Sequence, residues 1–248
     1  MKYKNYIFDL YGTLIDIHTD TKQIELWEFM SDYLEKKFDK KIEPKKLKQE
    51  YAKLYKAEEK GLAKAMNTKH PEIKVEWVWE KLIGKEISDV EMSELCNTFR
   101  TKSRDKLERY EGVAELLSAI KEAGGNVYLL SNAQRLFTER ELELTDLPKY
   151  FDDIFISSDV GIKKPDGRFL QMLIDKHNLK KEECVFIGNE VLADVGVATA
   201  VGIDIVFLNT YNHPRWDLKR DFKRCGADMN KVEIVQDAPP KAYSIIYR

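Results

Sequence analysis

Asp9 ends the apolar run Tyr6-Ile7-Phe8 and is followed by Leu10, Tyr11, Gly12 and Thr13, so a carboxylate sits at the mouth of a Gly-Thr turn. Ser131 and Asn132 close a second apolar run, NVYLLSN. Lys164 follows a third, DIFISS, within VGIKKPDG, and a fourth, CVFIGN, leads into Asn189, Glu190 and, one helical turn on, Asp194. Taken singly, each has a structural explanation: a turn residue, a helix cap, a solvated lysine, acids at the positive end of a helix dipole. Short motifs often mislead in this way. Together, a carboxylate, a hydroxyl, a lysine and further acids at successive strand ends form a chemical set suited to displacement at phosphorus.

Such groups meet only if the elements carrying them are aligned. From about residue 108 the chain alternates helix and short apolar strand: a helical face of Val113, Leu116, Leu117 and Ile120 ends at Gly124 and Gly125. The strand NVYLLSN comes next, followed by DIFISS, CVFIGN and DIVFLN, with helices around Thr138 to Leu144, Phe169 to His177 and after Glu190. Continuous apolar strands alternating with helices predict an α/β fold, a Rossmann-like parallel sheet with helices on both faces. In open sheets of this kind ligands bind beyond the carboxyl ends of the strands. Between the first strand and this region the sequence is lysine- and glutamate-rich with helical periodicity. The faces Ile24/Trp27/Ser31/Leu34, Tyr51/Leu54/Tyr55/Leu62, Val75/Val78/Trp79/Leu82 and Val90/Leu95/Cys96/Phe99 predict four helices and an inserted all-helical cap domain. The expected division is residues 1–14 and 108–248 as a discontinuous core, with 15–107 as the cap.

With those residues in place, the chain resembles the haloacid dehalogenase-like (HAD) hydrolase superfamily. FDLYGTL, LLSNA, GIKKPD and IGNEVLADV stand as its four motifs in order, and the insertion falls where the family places its helical cap of the first type. The resemblance implies that Asp9 is the nucleophile of a covalent aspartyl intermediate, with Thr13 closing the turn that presents it. It implies that Ser131, with Asn132 beside it, donates to the transferring group, and that Lys164 holds Asp9 and offsets growing negative charge. The candidate metal ligands are Asp9, Tyr11, Asn189, Glu190 and Asp194, around a magnesium ion bridging nucleophile and phosphate.

Two departures separate this chain from the phosphatase pattern. Tyr11 stands where phosphatases carry a second aspartate that protonates the leaving group, and a positioned general acid contributes on the order of 10²–10⁴ in rate. Tyrosine there resembles the metal-independent 2-haloacid dehalogenase branch, whose halide leaving group needs no proton and whose site needs no magnesium. The fourth motif begins Gly188-Asn189 in place of Gly-Asp, yet Glu190 and Asp194 add charge that a metal-free site does not require. TKQIELWEFM has the tryptophan but not the arginine expected early in a dehalogenase cap. The acids outweigh the tyrosine, so the expectation is a magnesium-dependent phosphatase of a small phosphorylated metabolite. The alternatives are a metal-independent dehalogenase and a catalytically weakened binding or regulatory protein of the same fold, in which Tyr11 and Asn189 mark lost chemistry.

Composition narrows the partners. The 41 basic and 43 acidic side chains nearly cancel, which argues against nucleic acid and a membrane surface; a small anionic substrate is what the resemblance implies. Three scattered cysteines give neither a disulfide framework nor a zinc spacing, and no long apolar run or signal peptide stands out, so the expected setting is the cytoplasm, as monomer or homodimer. Lys53, Lys56, Lys60 and Lys64 at helical spacing read as a solvated face, Trp77 and Trp79 as packing or pocket lining, and the four histidines carry no assignment. RWDLKRDFKR reads as an exposed helix or an oligomer contact, in a last segment beyond about Tyr211 that matches nothing in the resemblance.

Overall fold

The computed structural model describes residues 2–236; the end of the last segment, 237–248, lies outside them. Strand β1 (Asn5–Phe8) runs through the middle of a six-stranded sheet of order β5-β4-β1-β6-β7-β8, in which every adjacent pair is parallel. The chain then forms β2 (Ile15–Thr19), α1 (Ile24–Phe38), α2 (Pro44–Ala65), α3 (Val75–Ile83), α4 (Asp89–Ser103) and β3 (Arg104–Arg109). It continues as α5 (Val113–Glu122), β4 (Asn126–Ser131), α6 (Arg135–Leu144), β5 (Asp153–Ile156), the short α7 (Ser157–Val160) and α8 (Gly167–Lys176). Last come β6 (Cys184–Gly188), α9 (Gly196–Val201), β7 (Asp204–Asn209), α10 (Arg215–Arg224) and β8 (Val232–Gln236).

The strands are apolar throughout because both sheet faces are covered. Successive side chains point to opposite faces. Tyr6, Phe8, Val127, Leu129, Val185 and Ile187 therefore pack on one side with Leu116, Leu117 and Ile120 of α5. Ile7, Tyr128, Leu130, Cys184 and Phe186 pack on the other with Phe169, Leu170 and Leu173 of α8 and Leu218 and Phe222 of α10. Since β1 has β4 on one flank and β6 on the other, its carboxyl end opens into the crevice where chain order reverses.

Helices α1–α4 pack around a core of their own: Trp27, Met30, Leu34, Leu47, Val78, Trp79, Leu95 and Phe99. Tyr51 and Phe99 flank Trp79 at ring-centroid distances of 5.0 and 5.2 Å, so Trp79 is packing. A capping box between Ser88 and Glu91 starts α4. Lys53, Lys56, Lys60 and Lys64 are exposed, as a solvated face requires.

Two expectations need correcting. Residues 15–19 and 104–107, assigned to the helical region, lie in β2 and β3, an antiparallel ribbon that takes the chain out to the helices and back; β-branched Ile15, Ile17 and Thr19 fit the pairing. Val90 is 78% exposed, and the buried face of α4 is Met92, Leu95, Cys96 and Phe99. β8 escaped notice because VEIVQ is short and only half apolar, as an edge strand is allowed to be. RWDLKRDFKR forms the largely exposed helix expected, Trp216 included, with Leu218 and Phe222 docking it on the sheet. Among the described residues no helix is long and apolar enough to cross a membrane.

Candidate functional site

Asp9 follows β1 directly, and its backbone N–H still bonds the Ile187 carbonyl of β6, so its side chain emerges at the sheet edge. The turn after it winds on the Leu10 carbonyl, which accepts from Thr13, Leu14 and Ile15. Gly12 takes φ +78°, a left-handed conformation that favours glycine. A Cβ at Gly12 would lie 2.2 Å from Asn189 Nδ2 and 2.7 Å from the Tyr211 hydroxyl. The turn is thus closed by contact as well as by backbone.

Thr13 Oγ1 lies 3.2 Å from Asp9 Oδ2 and 3.2 Å from Asn189 Oδ1, linking the first and fourth motifs. Lys164 Nζ donates to Asp9 Oδ1 at 2.6 Å and to Asp194 Oδ1 at 2.7 Å, and all three side chains are nearly buried. The other Asp194 oxygen accepts the backbone N–H groups of Asn189 and Glu190, each at 2.9 Å. Gly188 allows this fold-back, since a Cβ there would meet Asp194 Oδ2 at 2.4 Å. A π-helical turn, Val191–Val195, carries Asp194 into place, a local irregularity of the kind found at functional sites.

Ser131 and Asn132 end β4 beside these groups but differ in role. Ser131 is fully buried, and its hydroxyl has no hydrogen-bond partner among the described residues. Such an orphan is costly unless something else supplies the partner. Asn132 instead grips the Lys164 backbone, its Nδ2 donating to the carbonyl at 3.1 Å and its Oδ1 accepting the N–H at 2.8 Å. Asn132 thereby positions the lysine loop.

Burial pushes the Asp9 carboxyl up to about 7; Lys164 pulls it down, while the Asp194 and Glu190 charges add to the rise. Burial works against the Lys164 charge, but Asp194 and Asp9 outweigh it and hold the ammonium above its ordinary range. Glu190 stands at the exposed rim with no side-chain hydrogen bond among the described residues. Its carboxyl is raised by burial of part of the group and by Asp194.

Tyr11 turns away from this cluster. Its hydroxyl donates to Glu141 Oε2 at 2.6 Å and lies 3.1 Å from Thr138 Oγ1, both on α6. Burial and the Glu141 charge raise the phenol well above its usual value. Glu141 is fully buried and also accepts from Arg100 Nε at 2.7 Å and Arg104 Nη1 at 2.9 Å. Arg100 comes from α4 and Arg104 from β3, so one carboxylate ties the nucleophile turn, the helices and the connecting ribbon together. A second tie joins the α2–α3 connection to the lysine loop: Glu72 N bonds Gly161 O at 3.1 Å, Lys163 N bonds His70 O at 3.0 Å, and Thr68 Oγ1 donates to Asp166 Oδ2 at 2.7 Å. Glu141, Arg100, Arg104 and Glu72 carry no signal in the sequence, because a charged residue in a helix, an edge ribbon or a loop looks solvated until the packing is seen.

Among the described residues no three His, Cys, Asp or Glu side chains form a ready metal cage. Asp194 accepts from Lys164 and from two backbone N–H groups, so it anchors the lysine as well as standing among the candidate ligands. The Tyr11 hydroxyl is held by Glu141 and Thr138 on α6. Asp9, Asn189, Glu190 and Asp194 supply the candidate oxygen donors near the nucleophile. That set fits magnesium, which commonly takes one or two carboxylates and completes its shell with substrate phosphate oxygens and water.

A model of the haloacid dehalogenase-like hydrolase family matches residues 3–202. The (S)-2-haloacid dehalogenase 4A of Burkholderia cepacia is 25% identical over 213 residues, covering 84% of each chain. A phosphoglycolate phosphatase of Photobacterium profundum is 31% identical over 108 residues, 42% of this chain and 47% of its own. Among solved structures, the magnesium-bound HAD-hydrolase YfnB of Bacillus subtilis superposes with a TM-score of 0.56 at 18% identity over 100% of both chains. A dehalogenase superposes at 0.60 and 18% identity, covering 99% of this chain and 98% of its own.

Proposed function

The chain belongs to the haloacid dehalogenase-like hydrolase family, and within it we propose a magnesium-dependent phosphatase of a small phosphorylated metabolite. One observation carries the choice: Asp9 and Asp194 share Lys164, the only cationic side chain bonded to them among the described residues, and Glu190, whose N–H bonds Asp194, adds a third carboxylate. Attack by Asp9 on a dianionic ester would bring further negative charge to a site already short of positive charge. Asp9, Asn189 and Glu190, with Asp194 beside them, would hold a magnesium ion, which would supply the missing positive charge when bound.

In this reading an Asp9 carboxylate oxygen forms a bond to phosphorus, the ester bond breaks, and its electron pair leaves on the alcohol oxygen, which takes a proton from water; a water molecule then hydrolyses the aspartyl phosphate to inorganic phosphate and the free Asp9 carboxylate. Thr13 orients the attacking carboxylate. Lys164, fixed by Asp194 and Asn132, offsets charge on the transferring oxygens, and the unpartnered Ser131 hydroxyl donates to one of them. Tyr11 has no part in proton transfer, because its hydroxyl is committed to Glu141. Residues 15–107 act as the cap over residues 1–14 and 108–248, shielding the site from water.

The dehalogenase reading keeps specific support in Tyr11 and in the Burkholderia cepacia relative that matches most of both chains. Hydrolysis of p-nitrophenyl phosphate with magnesium and with chelator, run beside chloride release from 2-chloropropionate, separates the two. Turnover of the ester with magnesium, lost in chelator and in Asp9→Asn, is the expected result. Chloride release without ester turnover under any divalent metal overturns the proposal. If neither reaction occurs and Asp9→Asn changes nothing, the binding-protein reading gains.

A further inference from the structure

The loop after β7 lies beyond the 3–202 stretch that matches the family, yet it forms a wall of the site. Thr210 Oγ1 donates to the Gly12 carbonyl at 2.7 Å, pinning the loop to the nucleophile turn. The Tyr211 hydroxyl approaches Gly12 closely, as the 2.7 Å to an added Cβ records, beside Asn189. Burial and the negative charges of Asp16, Glu190 and Asp9 all keep the phenol protonated.

The loop is built to hold this position. Asn209, buried at the end of β7, accepts the His213 N–H at 2.9 Å through Oδ1, and its Nδ2 donates to the His213 carbonyl at 3.0 Å and to Gln236 at 2.8 Å. Asn212 takes the left-handed conformation, φ +52°, that the turn requires, and its N–H bonds the Asn209 carbonyl. Tyr211 nevertheless keeps 57% of its surface exposed, and its ring meets that of His213 edge-on at 6.2 Å. Both border a cavity of about 420 Å³, within the size range of small-molecule sites, between Asn189, Glu190 and Val191 on one side and Asp217, Arg220 and Asp221 of α10 on the other. An anchored loop presenting an exposed aromatic ring beside the candidate metal donors has no evident packing purpose.

We propose that Tyr211 is a specificity-determining residue: it contacts the part of the substrate beyond the transferring group, and the leaving group occupies the cavity between Val191 and His213. This rests on the phosphatase reading and deepens it. The phenol donates one hydrogen bond and the ring one face, each worth about 3- to 10-fold in affinity.

The test uses the full chain with magnesium, comparing wild type, Tyr211→Phe and Tyr211→Ala on p-nitrophenyl phosphate and acetyl phosphate, with inhibition by inorganic phosphate measured in each. Tyr211→Ala should lower kcat/KM for the aryl ester about 10-fold or more, mainly through KM, with acetyl phosphate turnover and phosphate inhibition within about twofold. Tyr211→Phe should fall between, isolating the hydroxyl. Equal losses on both substrates together with weakened phosphate inhibition would make the residue a support for the nucleophile turn and overturn the inference. Unchanged kinetics in both variants would also overturn it. Wild type inactive on both substrates would sink the phosphatase reading itself, a result distinct from either.

Discussion

Replacing Glu141 by alanine should be among the most damaging single changes in this protein, though the residue touches no reacting group. Its carboxylate is fully buried and accepts from Arg100 Nε at 2.7 Å, Arg100 Nη2 at 3.3 Å, Arg104 Nη1 at 2.9 Å and Tyr11 Oη at 2.6 Å. Truncation leaves two guanidinium groups, only 17% and 12% exposed, without their counter-charge. Removing one partner of such a buried pair costs about 3–5 kcal/mol. With a urea slope of about 3 kcal/mol per molar, the unfolding midpoint should fall by about 1–1.7 M. Glu141→Gln keeps an acceptor and the shape, so it should lose about 1–3 kcal/mol. Fluorescence of Trp27 and Trp79 reports unfolding of the helices that Arg100 belongs to. A double-mutant cycle of Tyr11→Phe with Glu141→Gln should show a coupling of about 1.5–3 kcal/mol. A Glu141→Ala midpoint within about 0.2 M of wild type, at about 3 kcal/mol per molar, would refute the claim that this cluster holds turn, ribbon and helices together. Tyr11→Phe losing as much turnover as Asp9→Asn would refute the claim that the phenol stands outside the chemistry.

Ser131→Ala should leave stability within about 0.5 kcal/mol, since the hydroxyl has no partner to lose, while kcat falls by about 10²–10³, measured by steady-state hydrolysis beside a urea titration. Gly12→Ala forces a side chain against Asn189 in a left-handed backbone, so it should cost about 2 kcal/mol or more by thermal unfolding and lower turnover with it. Asp166 caps α8 and pairs with Arg168 and Thr68, which hold its carboxyl down to about 2 from 3.8. A lowered acid contributes stability that is present above the unfolded value and lost as pH falls through the folded one. Melting temperatures should therefore drop between about pH 4 and pH 2, and Asp166→Asn should remove about 1 kcal/mol of that dependence, the value being small because Arg168 is half exposed.

The sequence by itself determined the parallel sheet, because strands covered on both faces must be continuously apolar and the helices between them must carry a 3.6-residue stripe. It also determined which polar residues stand at strand ends, since Asp9, Ser131 and Asn189 each close or directly follow an apolar run, with Lys164 in the loop after the next one. What such residues do with their hydrogen bonds is another matter. Only the tertiary structure decided that Asp194 anchors Lys164, that Asn132 grips the lysine backbone, and that Tyr11 bonds to a glutamate 130 positions away. It alone brought Tyr211, from beyond the span the family shares, to Gly12 of the nucleophile turn, 199 positions earlier in the chain. Periodicity records which face of an element is buried, and strand ends record where a sheet opens. Pairing of polar groups depends on distances between elements remote in the chain, and local sequence carries no measure of those.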